Sequence, residues 1–224
     1  KNIGQIESVE IKLSIFNLLN KKNFNIESIQ LDNVQINLNL NNFNYYRNFF
    51  KKKLILKSIY LKRGTINFFD NEKSLSSIHE IDLKYKYKKK SNNLTLNGLF
   101  LNKPILIELQ GSPEENKKKL TIKLPKIKAI LKVDIFNKFS DKNDLYGNLL
   151  YKQGKVRFAS EYNFQKNKLI LKSGNIRNSF LDGKISGDIN FFPFFTFDLN
   201  CDLNGMNFTK FHSFFVTLDT KNLF

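Results

Sequence analysis

The feature that most restricts what this chain can become is a phrase that occurs twice, 30 residues apart. Residues 26–40 read I-E-S-I-Q-L-D-N-V-Q-I-N-L-N-L, and residues 56–68 read L-K-S-I-Y-L-K-R-G-T-I-N-F. Ser28 answers to Ser58, Ile29 and Leu31 to Ile59 and Leu61, and Ile36-Asn37 to Ile66-Asn67. Gly64 stands where the first copy has Val34. In the first copy the alternation of Ile29 and Leu31 with polar residues halts at Asp32-Asn33, and Val34, Ile36, Leu38 and Leu40 resume it. Side chains alternate faces along a strand, so the phrase is a β segment with one apolar and one polar face. The halt predicts a tight turn or a bulge, either of which shifts the phase of the alternation. The two copies suggest a repeat array.

From Leu54 onward nearly everything reads as strand. Ile81, Leu83, Tyr85 and Tyr87 alternate with Asp82, Lys84 and Lys86, and similar segments follow at residues 94–98, 104–110, 120–124, 127–135, 145–151, 156–164 and 168–172. Pro125 marks a break or a sheet edge. Residues 175–180 and 183–190 flank Asp182-Gly183, a hairpin signal. Residues 195–204 then alternate five apolar with five polar positions. Short helices are predicted at 15–22, behind Ser14 as N-cap, and at 43–50, and residues 211–216 begin a helix or a strand. Strands every ten to fifteen residues with short polar turns argue for an antiparallel, mainly β meander. Periodicity alone allows a closed sandwich or barrel, where every apolar position is core, and equally an open curved sheet. The monotony of the pattern favours the open sheet, whose apolar face then needs a cover.

Composition narrows the function classes. No apolar run approaches the roughly 20 residues of a membrane-spanning helix. The chain begins at Lys1 and is expected to be an excerpt of a longer protein, one segment over 1–224 with a subdivision near 111–117. Its formal charge of +17 invites an anionic partner, yet only four residues are Arg, whose planar fork suits phosphate. The wealth of Lys, Asn, Ile, Phe and Tyr is also how an A/T-rich genome spells its proteins, so nucleic acid is not the expected partner. Lysines at 51–53, 84–90 and 117–119 suit the guarding of open strand edges and equally suit anionic headgroups. A single cysteine, Cys201, excludes an internal disulfide, and His79 and His212 lack neighbours at metal-ligand spacing, so neither metal nor cofactor is expected. No nucleophile elbow, phosphate loop or dinucleotide fingerprint is present; Glu114-Glu115 and Asp198/Asp202 read as turn and solvent-face residues rather than a catalytic pair. The expectation is a protein that is not an enzyme.

Three places carry a family resemblance. Residues 6–39 contain strand, short helix with Leu18-Leu19, and the strand pair I-x-S-I-x-L-D-x-V-x-I-N-L; residues 61–69 run through Gly64 into I-N-F-F-D; residues 173–208 contain G-x-I-S-G-D-I-N-F, Pro193 and F-D-L-N-C-D-L-N-G-M-N-F. In this order they resemble the AsmA-like family of bacterial envelope proteins, relatives of the chorein-type bridge-like lipid-transfer proteins, over about half the chain. The family's usual N-terminal transmembrane helix is missing from this sequence. The resemblance implies an elongated, curved, half-open β-groove with an apolar lining, in the periplasm and attached to the inner membrane through an anchor outside this chain. It implies phospholipid as cargo moving between inner and outer membranes, a membrane surface as partner, and envelope proteins as further partners.

Physical chemistry makes such a groove worth having. Exposing acyl chains to water costs about 0.8 kcal/mol per methylene, hence on the order of 20 kcal/mol for a phospholipid with about thirty. A lining that replaces bilayer contact must be uniform, because one tight site traps its cargo. The expected lining is Ile29, Leu31, Val34, Ile36 and Leu38 from the first phrase, with Ile59, Leu61, Ile66 and Phe68 from the second. In the last third it is Ile185, Ile189, Phe195, Phe197, Leu199 and Leu203. The alternative is a structural or chaperone-like factor in outer-membrane protein assembly, pairing its exposed strand edges with client chains.

Overall fold

The computed structural model describes residues 4–13, 26–42, 58–88, 91–112, 117–137, 145–165, 168–190 and 195–216. The predicted helices at 15–22 and 43–50 lie outside these residues. The described residues form 13 strands, two single-turn 3-10 segments (Leu40–Asn42 and Pro125–Ile127) and one α-helix, α1 (Phe208–Val216). The fold class is therefore mainly β. The chain divides into two compact units, 1–113 and 114–224.

The first unit holds β1 (Gly4–Leu13), β2 (Ile26–Asn39), β3 (Ser58–Asp70), β4 (Lys73–Lys88), β5 (Ser91–Phe100) and β6 (Lys103–Ser112), hydrogen-bonded in chain order. The expectation of a purely antiparallel sheet is corrected here: β2 and β3 run parallel. The reason is the repeated phrase itself. Its offset is the register of the pair, so Ser28 lies against Ser58, Ile29 against Ile59, Leu31 against Leu61 and Ile36 against Ile66. Parallel, in-register pairing sets like on like, which antiparallel pairing of the same phrase would not. Asn37 meets Asn67 in this way, and the Asn67 side-chain amide donates to Asn37 Oδ1 at 3.0 Å.

The halt at Asp32-Asn33 is a left-handed kink inside a continuous strand that stays in register with β1 and β3; the bulge of this region lies where β3 meets β4, at Gly64. Asn33 is left-handed (φ 49°), and so is its counterpart in the repeat, Arg63 (φ 52°), with Glu80 of β4 beside them (φ 50°). Asparagine tolerates that conformation, whereas arginine does so at a cost. A polar cluster holds it. The Arg63 guanidinium donates through Nε to Asp32 Oδ1 (2.9 Å) and through Nη2 to Asp32 Oδ2 (2.6 Å). Asp32 also accepts from the Asn33 backbone N–H (2.9 Å), and the Asn33 amide donates to Glu7 on β1 (2.7 Å). The left-handed Asn33 returns Val34, Ile36 and Leu38 to the face already occupied by Ile29 and Leu31.

The second unit holds β7 (Lys117–Leu124), β8 (Ala129–Asn137), β9 (Leu145–Gln153), β10 (Val156–Gln165), β11 (Lys168–Arg177), β12 (Leu181–Asn190) and β13 (Thr196–Met206), again in chain order and antiparallel at every pair. Pro125 opens the 3-10 turn between β7 and β8, where its missing N–H is no loss. The hairpin expected at Asp182-Gly183 is corrected. The turn lies at Asn178, whose side-chain oxygen accepts from the N–H groups of Phe180 (2.9 Å) and Leu181 (2.8 Å). This Asx turn outcompetes the Asp-Gly signal, and Asp182-Gly183 becomes a register shift against β13. Residues 211–216 belong to α1. All 13 strands lie in one sheet in chain order and its first and last strands do not pair, so it does not close into a barrel.

Candidate functional site

Residues directly opposed across a ladder point to the same side of the sheet, so the registers decide which side chains share a face. In the first unit one row crosses all six strands: Ile11, Ile29, Ile59, Tyr85, Leu94 and Leu109. A second runs Val9, Leu31, Leu61, Leu83, Leu96 and Ile107. A third joins Ile36, Ile66, Ile78 and Phe100, and Leu38 sits against Phe68. All nine lining residues expected from the repeated phrase therefore stand on one face. The opposite face carries polar rows such as Gln30, Tyr60, Lys84, Thr95 and Glu108.

That face is not uniformly accessible. At the level of the bulges, Val34, Leu61, Ile78, Ile81, Leu96 and Ile105 are buried, and Ile81 is wholly so (0% exposed). Gly64 explains the seal: a Cβ there would come within 2.3 Å of Leu61 Cδ2, because the Leu61 side chain lies down across the glycine toward Ile81. Of the expected lining, then, Val34 and Leu61 are packed in a small core, and Ile29, Leu31, Ile36, Leu38, Ile59, Ile66 and Phe68 are half-buried around it. On β1 the same face is open, with Ile6, Val9 and Ile11 exposed.

In the second unit a row runs Leu120, Val133, Leu149, Ser160, Gly174, Ile185 and Cys201. Its neighbour runs Ile122, Leu131, Tyr151, Phe158, Ile176, Gly183 and Leu203. Phe164, Leu169, Ile189 and Phe197 form a third, and Leu199 faces Gly187. The expected residues Ile185, Ile189, Phe197, Leu199 and Leu203 thus share a face, and Phe195 adds its ring, 6.2 Å from that of Phe197, just before β13. Phe195 (65%), Phe197 (66%) and Leu203 (44%) remain largely in solvent. Glycine and serine alternate with large side chains here, and the Phe158 ring lies over Gly174.

The same faces also carry residues that sequence reasoning did not single out as lining. Ile78, Ile81, Leu83, Leu94, Leu96, Ile105 and Ile107 in the first unit, and Leu131, Tyr151, Phe158 and Ile176 in the second, were legible as strand residues only. Each strand's own alternation marks them as apolar-faced; the register that joins the faces is what the linear pattern lacks.

Electrostatics on these sheets is local. The Arg63 guanidinium, by hydrogen bonding and charge, holds the Asp32 carboxyl below its usual 3.8, and Asp32 in return raises the Arg63 pKa. Tyr162, opposite Gly147, is buried and donates its hydroxyl to the Asp134 carbonyl oxygen (3.1 Å). Burial, with a smaller contribution from the Asp134 charge, pushes that phenol up to about 12. Among the described residues no three His, Cys, Asp or Glu side chains cluster as a metal site, and no helix is long and apolar enough to cross a membrane.

The chain matches no protein-family model, no curated protein and no solved structure.

Proposed function

We propose that the apolar faces of these two units hold phospholipid acyl chains, and that the protein is a segment of an AsmA-like lipid-transfer protein working between the two membranes of a bacterial envelope. The observation that carries the reading is the stripe on β12 and β13. Phe195, Phe197 and Leu203 are largely exposed, with Ile185, Ile189 and Leu199 half-buried beside them on one face. Isolated exposed apolar side chains are ordinary, but a file of large ones on a single sheet face marks a surface meant to be covered. Acyl chains suit it, since the stripe offers apolar area without a polar group to fix orientation. Carriage of this kind needs no catalytic residue, and the protein acts in this reading without turnover. In the full-length protein the segment stands in the periplasm, held to the inner membrane.

The chain carries its own reporter. Cys201 is its single cysteine, is exposed, and faces Ile185 in the apolar row. A solvatochromic dye attached to Cys201 is expected to shift to the blue on addition of phosphatidylcholine below its aggregation limit, and phospholipid is expected to remain on the protein in native mass spectrometry. An unshifted dye together with lipid-free protein overturns the reading.

A second reading, strand addition to a client protein, draws on β1. All ten of its residues are exposed and it pairs on one side only among the described residues. Photo-crosslinks from Glu10 or Lys12 to a polypeptide, with no lipid recovered, would favour it.

A further inference from the structure

The strand registers of the second unit bring three connections to one end of its sheet. Leu124 is paired with Ala129, Ala129 with Gln153, Gln153 with Val156, and Arg157 with Arg177, so the turns after β7, β9 and β11 stand side by side. Cations gather there. Lys126 and Lys128 lie in and beside the first turn, Lys155 in the second, and Lys152, Arg157 and Arg177 oppose one another on three adjacent strands of the polar face. All six are exposed, and none of their side chains forms an ion pair with a described residue. Against them stand Asp182, facing Arg177, and Asp202, facing Lys184. Like charges directly opposed across a ladder destabilise it, and Asp182 meets this file only at its Arg177 end, so Lys152 and Arg157 are relieved when an anion lies over them.

The tip between the two lysines is apolar. Ile127 is 41% exposed and cannot swing inward easily: Pro125 fixes the turn, the Lys128 N–H donates to the Pro125 carbonyl (3.1 Å), and Lys128 closes it in the left-handed region (φ 54°). The third connection is pinned as firmly by the Asn178 side chain. A rigid edge that presents an isoleucine between lysines, backed by three more cations on the sheet and one in the next turn, is complementary to a bilayer surface. Anionic headgroups meet the cations while the aliphatic tip enters the acyl boundary. Single-stranded nucleic acid would call for exposed rings on which bases stack, and no exposed aromatic side chain stands among these turn residues.

We infer that this end of the second unit docks on the surface of an anionic phospholipid bilayer, through the six cations and Ile127. The inference does not rest on acyl-chain carriage, which uses the opposite face. The test is sedimentation of the whole chain with phosphatidylcholine vesicles, with and without about a third phosphatidylglycerol. Binding is expected to require phosphatidylglycerol and to weaken as salt is raised. The variant Lys126→Gln/Lys128→Gln/Arg157→Gln/Arg177→Gln, folded by circular dichroism because all four sites are exposed, is expected to lose about fivefold in partitioning for each charge removed. Ile127→Ser is expected to weaken binding by roughly tenfold and leave its salt dependence intact. Equal binding to neutral vesicles, or a quadruple variant that sediments like the parent, overturns the inference. So does displacement from the vesicles by a single-stranded oligonucleotide, which would assign the cations to nucleic acid. Because uptake of lipid is read separately at Cys201, either result leaves the acyl-chain reading to stand or fall by itself.

Discussion

The two units use the same alternation of apolar and polar residues and finish it differently. In the first, the repeated phrase stacks parallel on itself, and left-handed residues on β2, β3 and β4 bring Val34, Leu61 and Ile81 together as a sealed patch in the middle of the apolar face. In the second, every pair is antiparallel, buried apolar residues are few (Ala129, Tyr162 and Leu171), and the far strand leaves Phe197 and Leu203 in solvent. The arginines follow suit. Arg63 is locked to Asp32, whereas Arg157 and Arg177 face each other and neither forms an ion pair with a described residue, although Asp182 stands opposite Arg177. An open sheet therefore needs local devices to hold together, and where these are concentrated the apolar face is spent on stability. Where they are sparse, it is left free for a ligand.

The sharpest test of this contrast is a pair of truncations. Ile81→Ala removes the one fully enclosed side chain among the described residues, and by the usual cost of such deletions should lower stability of the first unit by about 3–4 kcal/mol. Phe197→Ala, at an exposed site, should change stability by less than about 0.5 kcal/mol and yet abolish most lipid retention. Urea unfolding, with hydrogen exchange to assign the loss to a unit, reads both. Comparable destabilisation by the two would mean that the β13 stripe is core, and the contrast would be gone.

A finer comparison concerns glycine. At Gly174 an added methyl would meet the Ile185 carbonyl oxygen at 2.8 Å as well as the Phe158 ring, and a backbone oxygen cannot step aside. At Gly64 the closest obstacle is the end of the Leu61 side chain, which can turn away. Gly174→Ala should therefore cost about 2–3 kcal/mol and Gly64→Ala roughly half that. Equal costs would show that Leu61 is held as rigidly as main chain.

How far the sequence could carry this is clear from particular residues. Strand periodicity placed nearly every β segment, and the halt at Asp32-Asn33 marked the shift of phase, though the strand makes it with a left-handed residue in register rather than with a turn or a bulge. The 30-residue offset was visible too, but its meaning was not: parallel pairing is a relation between distant segments, which no window of sequence contains. The turn at Asn178 was missed in favour of Asp182-Gly183 for a related reason, since two turn formers four residues apart compete and the flanking register chooses. The expected lining shared a face as alternation required, yet Val34 and Leu61 turned out packed, because burial depends on what lies across Gly64. Composition alone likewise left the arginines undifferentiated; only side-chain geometry separates Arg63, ion-paired with Asp32, from Arg157 and Arg177, which form no ion pair with a described residue.

Tyr162 gives the second unit its own pH signature. Tyr162→Phe removes a buried hydrogen bond and should cost about 1 kcal/mol at neutral pH. The folded phenol titrates near 12 against 10.0 when unperturbed, so the stabilisation is fully present below pH 10 and is lost as pH rises toward 12. The parent should weaken over that alkaline window, and the phenylalanine variant should lack this component. A variant as alkali-sensitive as the parent would place the effect elsewhere.

The smallest expected effect is at the opposite end of the pH scale and belongs to the first unit. Asp32 is held below its usual 3.8 by Arg63, so its contribution is present above that value and is lost as pH falls through the lower, folded one. Asp32→Asn should flatten the acid limb of stability for peptides of β2 and β3 in hydrogen exchange, while those of β11 and β12 respond as in the parent. The pair is exposed, so its worth at neutral pH is small; what it does is hold Arg63 in a left-handed conformation that the bulge requires. Arg63→Gly, which relieves that backbone demand, should then restore much of what Asp32→Asn loses, and failure of this rescue would mean that the ion pair supports something other than the bulge.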